Sequence, residues 1–327
     1  LTVSVFFLIA KSYKFSIRTS SILTVLFALS TIIWAYSQTS LSSVPVSFFI
    51  LSGFFYYRKF LQSNSNVHLL LTGILFGISF LTRNDMILIF IPFFIFLLIK
   101  TLKRNLGIKA LFGFIIPLSM SYLIHKLIEI IRVGIENQTT PTVATVGSNW
   151  TSAANSNPYF LNLFGILFSP GAGLFIYAPI LFTAFVGFFD FYKKNKSDCI
   201  LFFTFISIFA LFYSAGSYWH GFNGWGPRYL LPIIAFVILP LGASIEKRTN
   251  FFFKLSVVLL GIGGAIINLI YVLQDVSWFV WGFFGSDERG LYSLARKPDG
   301  NVFDLWINPI IIWTFEFSQI VQSTLYL

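Results

Sequence analysis

The segment Ser217-Tyr218-Trp219-His220-Gly221-Phe222-Asn223-Gly224-Trp225-Gly226-Pro227-Arg228-Tyr229-Leu230-Leu231-Pro232 sets one guanidinium, one imidazole and several aromatic faces on a glycine-rich backbone between two apolar runs. That mix suits an anionic headgroup beside a sugar ring, because a guanidinium fork matches phosphate oxygens. The same residue types also build the aromatic belt of a membrane interface, with Arg228 reaching to headgroups. Gly, Asn and His within the stretch favour the functional reading. A second group, Leu81-Thr82-Arg83-Asn84-Asp85, places a cation and a carboxylate two residues apart between apolar runs. Asn84 or Asp85 can cap the following helix, with Arg83 pairing to Asp85 or to a lipid phosphate. Charge next to hydrocarbon is costly, roughly 2.5–3.5 kcal/mol at helix-centre depth on insertion scales, which makes the pair a functional candidate as well.

Two further segments are weaker. Ser169-Pro170-Gly171-Ala172-Gly173 forces a break at the start of an apolar run, since Pro removes a donor and Gly admits left-handed backbone. It reads equally as a plain turn or as the wall of a groove. Trp34-Ala35-Tyr36-Ser37-Gln38-Thr39-Ser40 is a polar turn whose residue types fit an interfacial hairpin. His125, Lys126, Glu129 and Arg132 form a stripe on one helix face in which Glu129 pairs with a neighbour, and Asp275 closes the last confident apolar run as ligand or cap.

The elements that position these residues must be membrane helices. The 327 residues are 56% hydrophobic and only 10% charged, with 42 Phe, and their mean hydropathy is +0.81. Soluble domains carry about 25% charged residues. Composition therefore excludes a water-soluble globule, a disordered chain and a disulfide scaffold. A single Cys199 excludes an internal disulfide and a multi-thiolate metal site, and three scattered histidines, His68, His125 and His220, speak against a His-based zinc site. No metal is expected. A net charge of +10 is spread over short clusters between apolar runs, which fits orientation in a bilayer and not nucleic-acid binding.

Spans are predicted at 20–35, 43–57, 67–82, 86–99, 106–125, 172–190, 199–215, 229–245 and 251–273, preceded by a partial run at 1–10. The expected fold is an all-α polytopic bundle of nine or ten transmembrane helices with structured extracytoplasmic loops. The reading assigns 1–275 to this domain and 276–327 to an outer or interfacial tail. Leu1 opens in the middle of an apolar run, which predicts an N-terminally incomplete chain. Fifteen of the 22 basic residues fall in alternate connections, in the clusters Lys11/Lys14/Arg18, Arg58/Lys59, Lys100/Lys103/Arg104/Lys109, Lys193/Lys194/Lys196 and Lys247/Arg248/Lys254. Those connections are expected to be cytoplasmic and chemically plain. The others hold nine of twelve carboxylates and possible glycosylation sequons at Asn137 and Asn149, so function is expected on the outer face of a multi-pass cell-membrane protein.

Four segments, in order, resemble the GT-C superfamily of membrane glycosyltransferases, the group that contains protein mannosyltransferases and aminoarabinose transferases. They are Trp34-Ala35-Tyr36-Ser37-Gln38-Thr39, Gly77-Ile78-Ser79-Phe80-Leu81-Thr82-Arg83, Phe168-Ser169-Pro170-Gly171-Ala172-Gly173-Leu174-Phe175-Ile176-Tyr177-Ala178-Pro179 and Trp225-Gly226-Pro227-Arg228-Tyr229-Leu230-Leu231-Pro232, within roughly residues 30–275. The resemblance implies transfer of a sugar from a polyprenyl-phosphate donor to an acceptor hydroxyl on the outer face, in the membrane, without nucleotide sugar or other cofactor. In the protein mannosyltransferase type it also implies no required metal. The catalytic Asp of such enzymes usually sits in the first outer loop, a position upstream of Leu1 on this reading. Of the carboxylates present, Asp85 is the expected base; Arg83 and Arg228 are expected to bind the phosphate, and Tyr218, Trp219, His220, Trp225 and Tyr229 the sugar. A flippase or transporter of lipid-linked saccharides and a non-catalytic membrane scaffold remain alternatives; the first calls for charges or broken helices near mid-bilayer, the second for no donor binding.

Overall fold

The computed structural model describes residues 1–39, 42–103, 109–139, 159–171, 173–215 and 225–273. Every regular element among them is a helix. The first seven are α1 (Thr2–Ser12), α2 (Ile17–Leu29), α3 (Ile33–Tyr36), α4 (Ser43–Ser63), α5 (Asn66–Thr82), α6 (Ile87–Lys103) and α7 (Lys109–Thr139). They are followed by α8 (Tyr159–Phe168), α9 (Leu174–Tyr177), α10 (Leu181–Ser214), α11 (Ile234–Ile238), α12 (Leu241–Lys247) and α13 (Phe251–Val272). Short 3-10 turns occupy Asn84–Met86 and Arg228–Ile233. Among the described residues, five stretches are long and apolar enough to cross a membrane: Asn84–Lys103, Leu111–Arg132, Leu181–Ser214, Arg228–Lys247 and Phe251–Val272.

The chain runs back and forth along one axis. Asn64 ends α4 in the left-handed region at φ 54°, where a short polar side chain is tolerated. Helix α5 then returns beside α4, and the Thr72 hydroxyl donates to the Gly53 carbonyl at 3.2 Å. Phe76 stacks on Phe90 at 5.2 Å as α6 reverses again. Helices α5 and α7 run parallel and close: a Cβ added at Gly73 would meet the Phe114 carbonyl at 2.7 Å. In an apolar solvent such approach replaces the hydrophobic drive that water would give.

Helix α10 is two helices. Asn195 has non-helical dihedrals (φ −132°, ψ 50°), and on either side of it Phe191 and Phe202 stack at 5.8 Å. Cys199 Sγ lies 3.7 Å from the Phe188 carbonyl; eleven residues of straight helix would separate them by about 16 Å. Lys193–Lys196 is thus the turn of a helical hairpin, and the spans expected at 172–190 and 199–215 are its two limbs, α10a and α10b. Helix α12 follows α10a to the same end, where the Ser244 hydroxyl reaches Asp190 at 2.7 Å. Helix α13 then returns beside α2 until Tyr271 meets Trp225 at 4.9 Å. Ten lengthwise segments result among the described residues, in agreement with the all-α polytopic bundle expected.

Two boundaries differ from expectation. The span expected at 20–35 stops at Leu29, because Thr31 turns its hydroxyl onto the Phe27 carbonyl at 2.7 Å and competes with the helical ladder. The long loop expected after residue 125 instead continues as helix to Thr139 and holds α8.

Polar groups collect at two ends. Ser43 and Arg58 on α4, Asp85 and Lys100 around α6, and Asp198 and Tyr213 on α10b are each fifteen residues apart, about 22 Å along a helix axis. Ser43, Asp85 and Tyr213 meet at one end and Arg58, Lys100 and Asp198 at the other. The basic clusters that the sequence assigns to one side of the membrane therefore do converge. That end is not chemically plain, however. Asp198, 4% exposed, pairs with Arg58 at 2.7 Å and accepts from Tyr13 at 2.8 Å. Asp190 is held by Lys247 at 2.9 Å and Arg248 at 2.7 Å. Burial of a carboxylate is tolerated only with such partners, and the runs of Phe around both aspartates hide the network in the linear sequence.

Candidate functional site

At the end away from the basic clusters, two polypeptide turns meet the end of α10b. The first closes α5. Arg83 caps that helix with extended backbone (φ −152°, ψ 120°), and the 3-10 turn that follows brings Asp85 back beside it. Arg83 Nε donates to Asp85 Oδ1 at 3.0 Å, Nη2 donates to Asp85 Oδ2, and Nη1 donates to Ser43 Oγ at 3.2 Å. The third partner comes from α10b: Arg83 Nη2 also donates to Tyr213 Oη at 3.1 Å, whose hydroxyl donates to Asp85 Oδ2. The side chains of Arg83 and Asp85 keep 11% and 18% of their exposure. Burial works against the Arg83 cation, yet the Asp85 carboxylate and Tyr213 outweigh it and raise the guanidinium above its ordinary pKa. This group is permanently charged.

The second turn is Trp225-Gly226-Pro227. Gly226 adopts φ +64°, and a Cβ there would meet Tyr177 Cγ at 2.9 Å, so both the dihedral and the space call for glycine. The turn delivers Arg228 and Tyr229 to the start of the 3-10 helix. Arg228 Cζ lies 5.2 Å from the Tyr229 ring centroid, Arg83 Cζ lies 5.9 Å from the same centroid, and Tyr213 stacks on that ring at 4.6 Å with 3° between planes. Tyr229 therefore joins the two arginines, which sequence alone separates by 145 positions. Tyr36, from the Trp34–Ser40 motif, is buried within electrostatic reach of Arg228, and its hydroxyl has no hydrogen-bond partner.

Of the residues expected to act, Arg83, Asp85, Arg228 and Tyr229 come together. Trp225 does not offer a face to a sugar. It is fully buried, packed edge-on to Tyr177 at 5.2 Å and against Tyr271 at 4.9 Å at the start of the Gly226 turn. Tyr218, Trp219, His220 and Asp275 lie outside the described residues. Elsewhere, Lys126 Nζ pairs with Glu129 at 2.6 Å and the His125 ring abuts Phe80 at 5.4 Å, the solvated helix stripe that the spacing predicts. Tyr213 and Ser43 are absent from the expected set. Each ends or begins an apolar helix, where Tyr and Ser read as ordinary interfacial residues. Among the described residues no three His, Cys, Asp or Glu side chains gather as a metal site.

Chemically, the arrangement presents two guanidiniums within 5.9 Å of the centre of one phenol ring, with a carboxylate paired to Arg83. Fixed forks of this kind bind phosphate oxygens in two-pronged fashion, and a carboxylate at the same spot can accept a proton. Residues 1–125 match the family model for dolichyl-phosphate-mannose-protein mannosyltransferase. The match takes in α1 to α6, the first half of α7 and the Arg83–Asp85 turn, while Arg228 and Tyr229 lie beyond it. No curated protein and no solved structure matches the chain. The family match over residues 1–125 and the helical architecture agree with each other, and over that stretch the chain is similar to the protein mannosyltransferases.

Proposed function

We propose that this protein transfers a sugar from a polyprenyl-phosphate donor to an acceptor hydroxyl, at the end of the bundle opposite its basic clusters, and that this end faces outward. The orientation rests on the positive-inside rule. The single observation that carries the activity is the meeting of Arg83 and Arg228 on Tyr229. A lipid phosphate needs cations at headgroup depth, and no other arginines share one ring among the described residues.

In this reading Arg228 and Arg83 hold the donor phosphate and stabilise it as it leaves. Fixed cations in a water-poor site oppose the developing charge without reorganising. Tyr229 flanks the sugar, together with Tyr218, Trp219 and His220 from the adjoining segment. Asp85 takes the proton of the acceptor hydroxyl as that oxygen attacks the anomeric carbon. Its two oxygens are engaged by Arg83 and Tyr213. A phosphate that draws the Arg83 fork toward itself frees a lone pair on Asp85, so donor binding and base activation are coupled. Tyr213 keeps the carboxylate in place meanwhile.

The test is a transfer assay with a short-chain polyprenyl-phosphate sugar and purified protein. Asp85→Asn is expected to bind donor normally yet lose on the order of 10²–10⁴-fold in turnover, the usual share of a positioned base. Unchanged turnover in that variant removes Asp85 as the base; unchanged turnover in Arg83→Ala removes the phosphate site.

A further inference from the structure

The basic end contains a cavity of about 720 Å³, open on one side, to which five elements contribute. Its cationic lining is Lys14, Arg58, Lys100, Lys194 and Lys196, against two carboxylates, Asp198 and Glu246. The two carboxylates are already committed. Asp198 serves Arg58, Lys100 at 3.9 Å and the Tyr13 hydroxyl, and Glu246 accepts from the Ser16 backbone N–H. Lys14, Lys194 and Lys196 have no carboxylate partner among the described residues, so the cavity holds surplus positive charge. The rest of the lining divides into neutral donors, such as Gln62 and Ser197, and an apolar floor of Tyr13, Phe15 and Leu61.

Geometry adds to charge. Two of the lysines ride on the α10 hairpin turn at Asn195, and Lys14 sits in the left-handed region at φ 64°, so two separate backbone reversals bring three cations to one hollow. A volume in the range of small-molecule pockets, surplus cations and an apolar floor at the level where helices leave the hydrocarbon describe a receptor for a phosphorylated group. Basic pockets between helix ends on the cytoplasmic side are the places where anionic headgroups bind.

We propose that this cavity is a phosphate-binding site, separate from the Arg83–Arg228 cluster and about 22 Å from it along the bundle axis, which takes the phosphate of an anionic lipid headgroup or the free ion. It does not depend on the transfer activity proposed above.

Binding is measured on the whole chain in uncharged detergent, with three probes: inorganic phosphate, dioctanoyl phosphatidic acid and, as a phosphate-free control, dioctanoylglycerol. Phosphatidic acid is expected to bind and to raise the melting temperature, and dioctanoylglycerol is not. Replacing Lys14, Lys194 and Lys196 together by Gln is expected to weaken binding at least tenfold. A variant of equal charge, Lys59, Lys193 and Lys254 to Gln, lies at the same end but outside the cavity and is expected to bind within twofold of wild type. Lys196→Gln alone, on the exposed turn, is expected to give an intermediate loss and stands in should the triple variant fail to fold. Binding of inorganic phosphate as well assigns the site to the phosphate group itself; binding of phosphatidic acid only assigns it to a headgroup carried on lipid. The proposal is overturned if neither phosphate probe binds, or if the two triple variants weaken binding equally.

Discussion

A guanidinium that is buried and paired has a different job from one that snorkels. Arg83 shares its fork among Asp85, Ser43 and Tyr213, whereas the Arg228 side chain makes one long hydrogen bond among the described residues, 3.4 Å to the Tyr229 hydroxyl, beside its contact with that ring. The inner arginine is thereby oriented and the outer one is available to incoming charge. Tyr213→Phe removes one donor to Asp85 and one acceptor for Arg83; a loss of about 1 kcal/mol in stability is expected from a hydrogen bond of this kind, with a larger effect on turnover than on donor affinity, measured by melting and initial rates. Gly226→Ala is expected to cost more. It combines a left-handed dihedral, worth roughly 1–2 kcal/mol for a residue with a Cβ, with a 2.9 Å clash on Tyr177, and a melting temperature equal to wild type would show that the turn relaxes. Sequence made Arg83, Asp85, Arg228 and Tyr229 legible because charge and aromatic rings stand out in an apolar chain. Tyr213 was invisible, since a single Tyr ending a Phe-rich run has the look of an interface anchor until the fold brings it onto Asp85.

At the scale of elements, apolar runs announce themselves by length, and the alternation of basic and non-basic connections gives their direction. What escapes is how a run ends. The hairpin at Asn195 is flanked by Lys193, Lys194 and Lys196, and those charges separate the two limbs in the sequence at the point where the backbone leaves helical geometry. The short break at Ser30 carries no charge, so nothing in the apolar run marks it. Pairing of limbs supplies a prediction here: Asp198→Asn leaves Arg58, 15% exposed, beside a neutral amide. Loss of one partner in a buried pair costs about 3–5 kcal/mol, and the open cavity next to Arg58 lowers that to roughly 2–4 kcal/mol by admitting water. Thermal melting in detergent checks it; an unchanged midpoint would mean that the Asp198 network contributes nothing to holding α1, α4 and α10b together.

For the whole molecule, the two ends of the bundle differ in the polar groups they gather. Segment 228–247 has 78% of its apolar window buried and runs through the centre, while 17% of the corresponding window of 111–132 is buried, which places α7 at the lipid-facing edge. The central segment is the one that begins with Arg228, so the second arginine is fixed by the core and not by a loop. This long-range placement could not be read from sequence, where Arg83 and Arg228 belong to unrelated motifs. Orientation follows from the charge split and is checked by labelling single cysteines in sealed vesicles, with Cys199 replaced by Ala: Lys196→Cys is expected to react only from the cytoplasmic side and Asn84→Cys only from the outside. The central claim, that the two arginines form one site for a lipid-borne phosphate, is tested most directly by titrating a short-chain polyprenyl-phosphate sugar against wild type, Arg83→Ala, Arg228→Ala and the double variant. Each single change is expected to weaken binding by one to two orders of magnitude, in line with about 1.5–3 kcal/mol for a hydrogen bond to a charged group, and the double change by less than the product of the two, because both act on the same phosphate. Equal affinity in all four proteins would contradict the account.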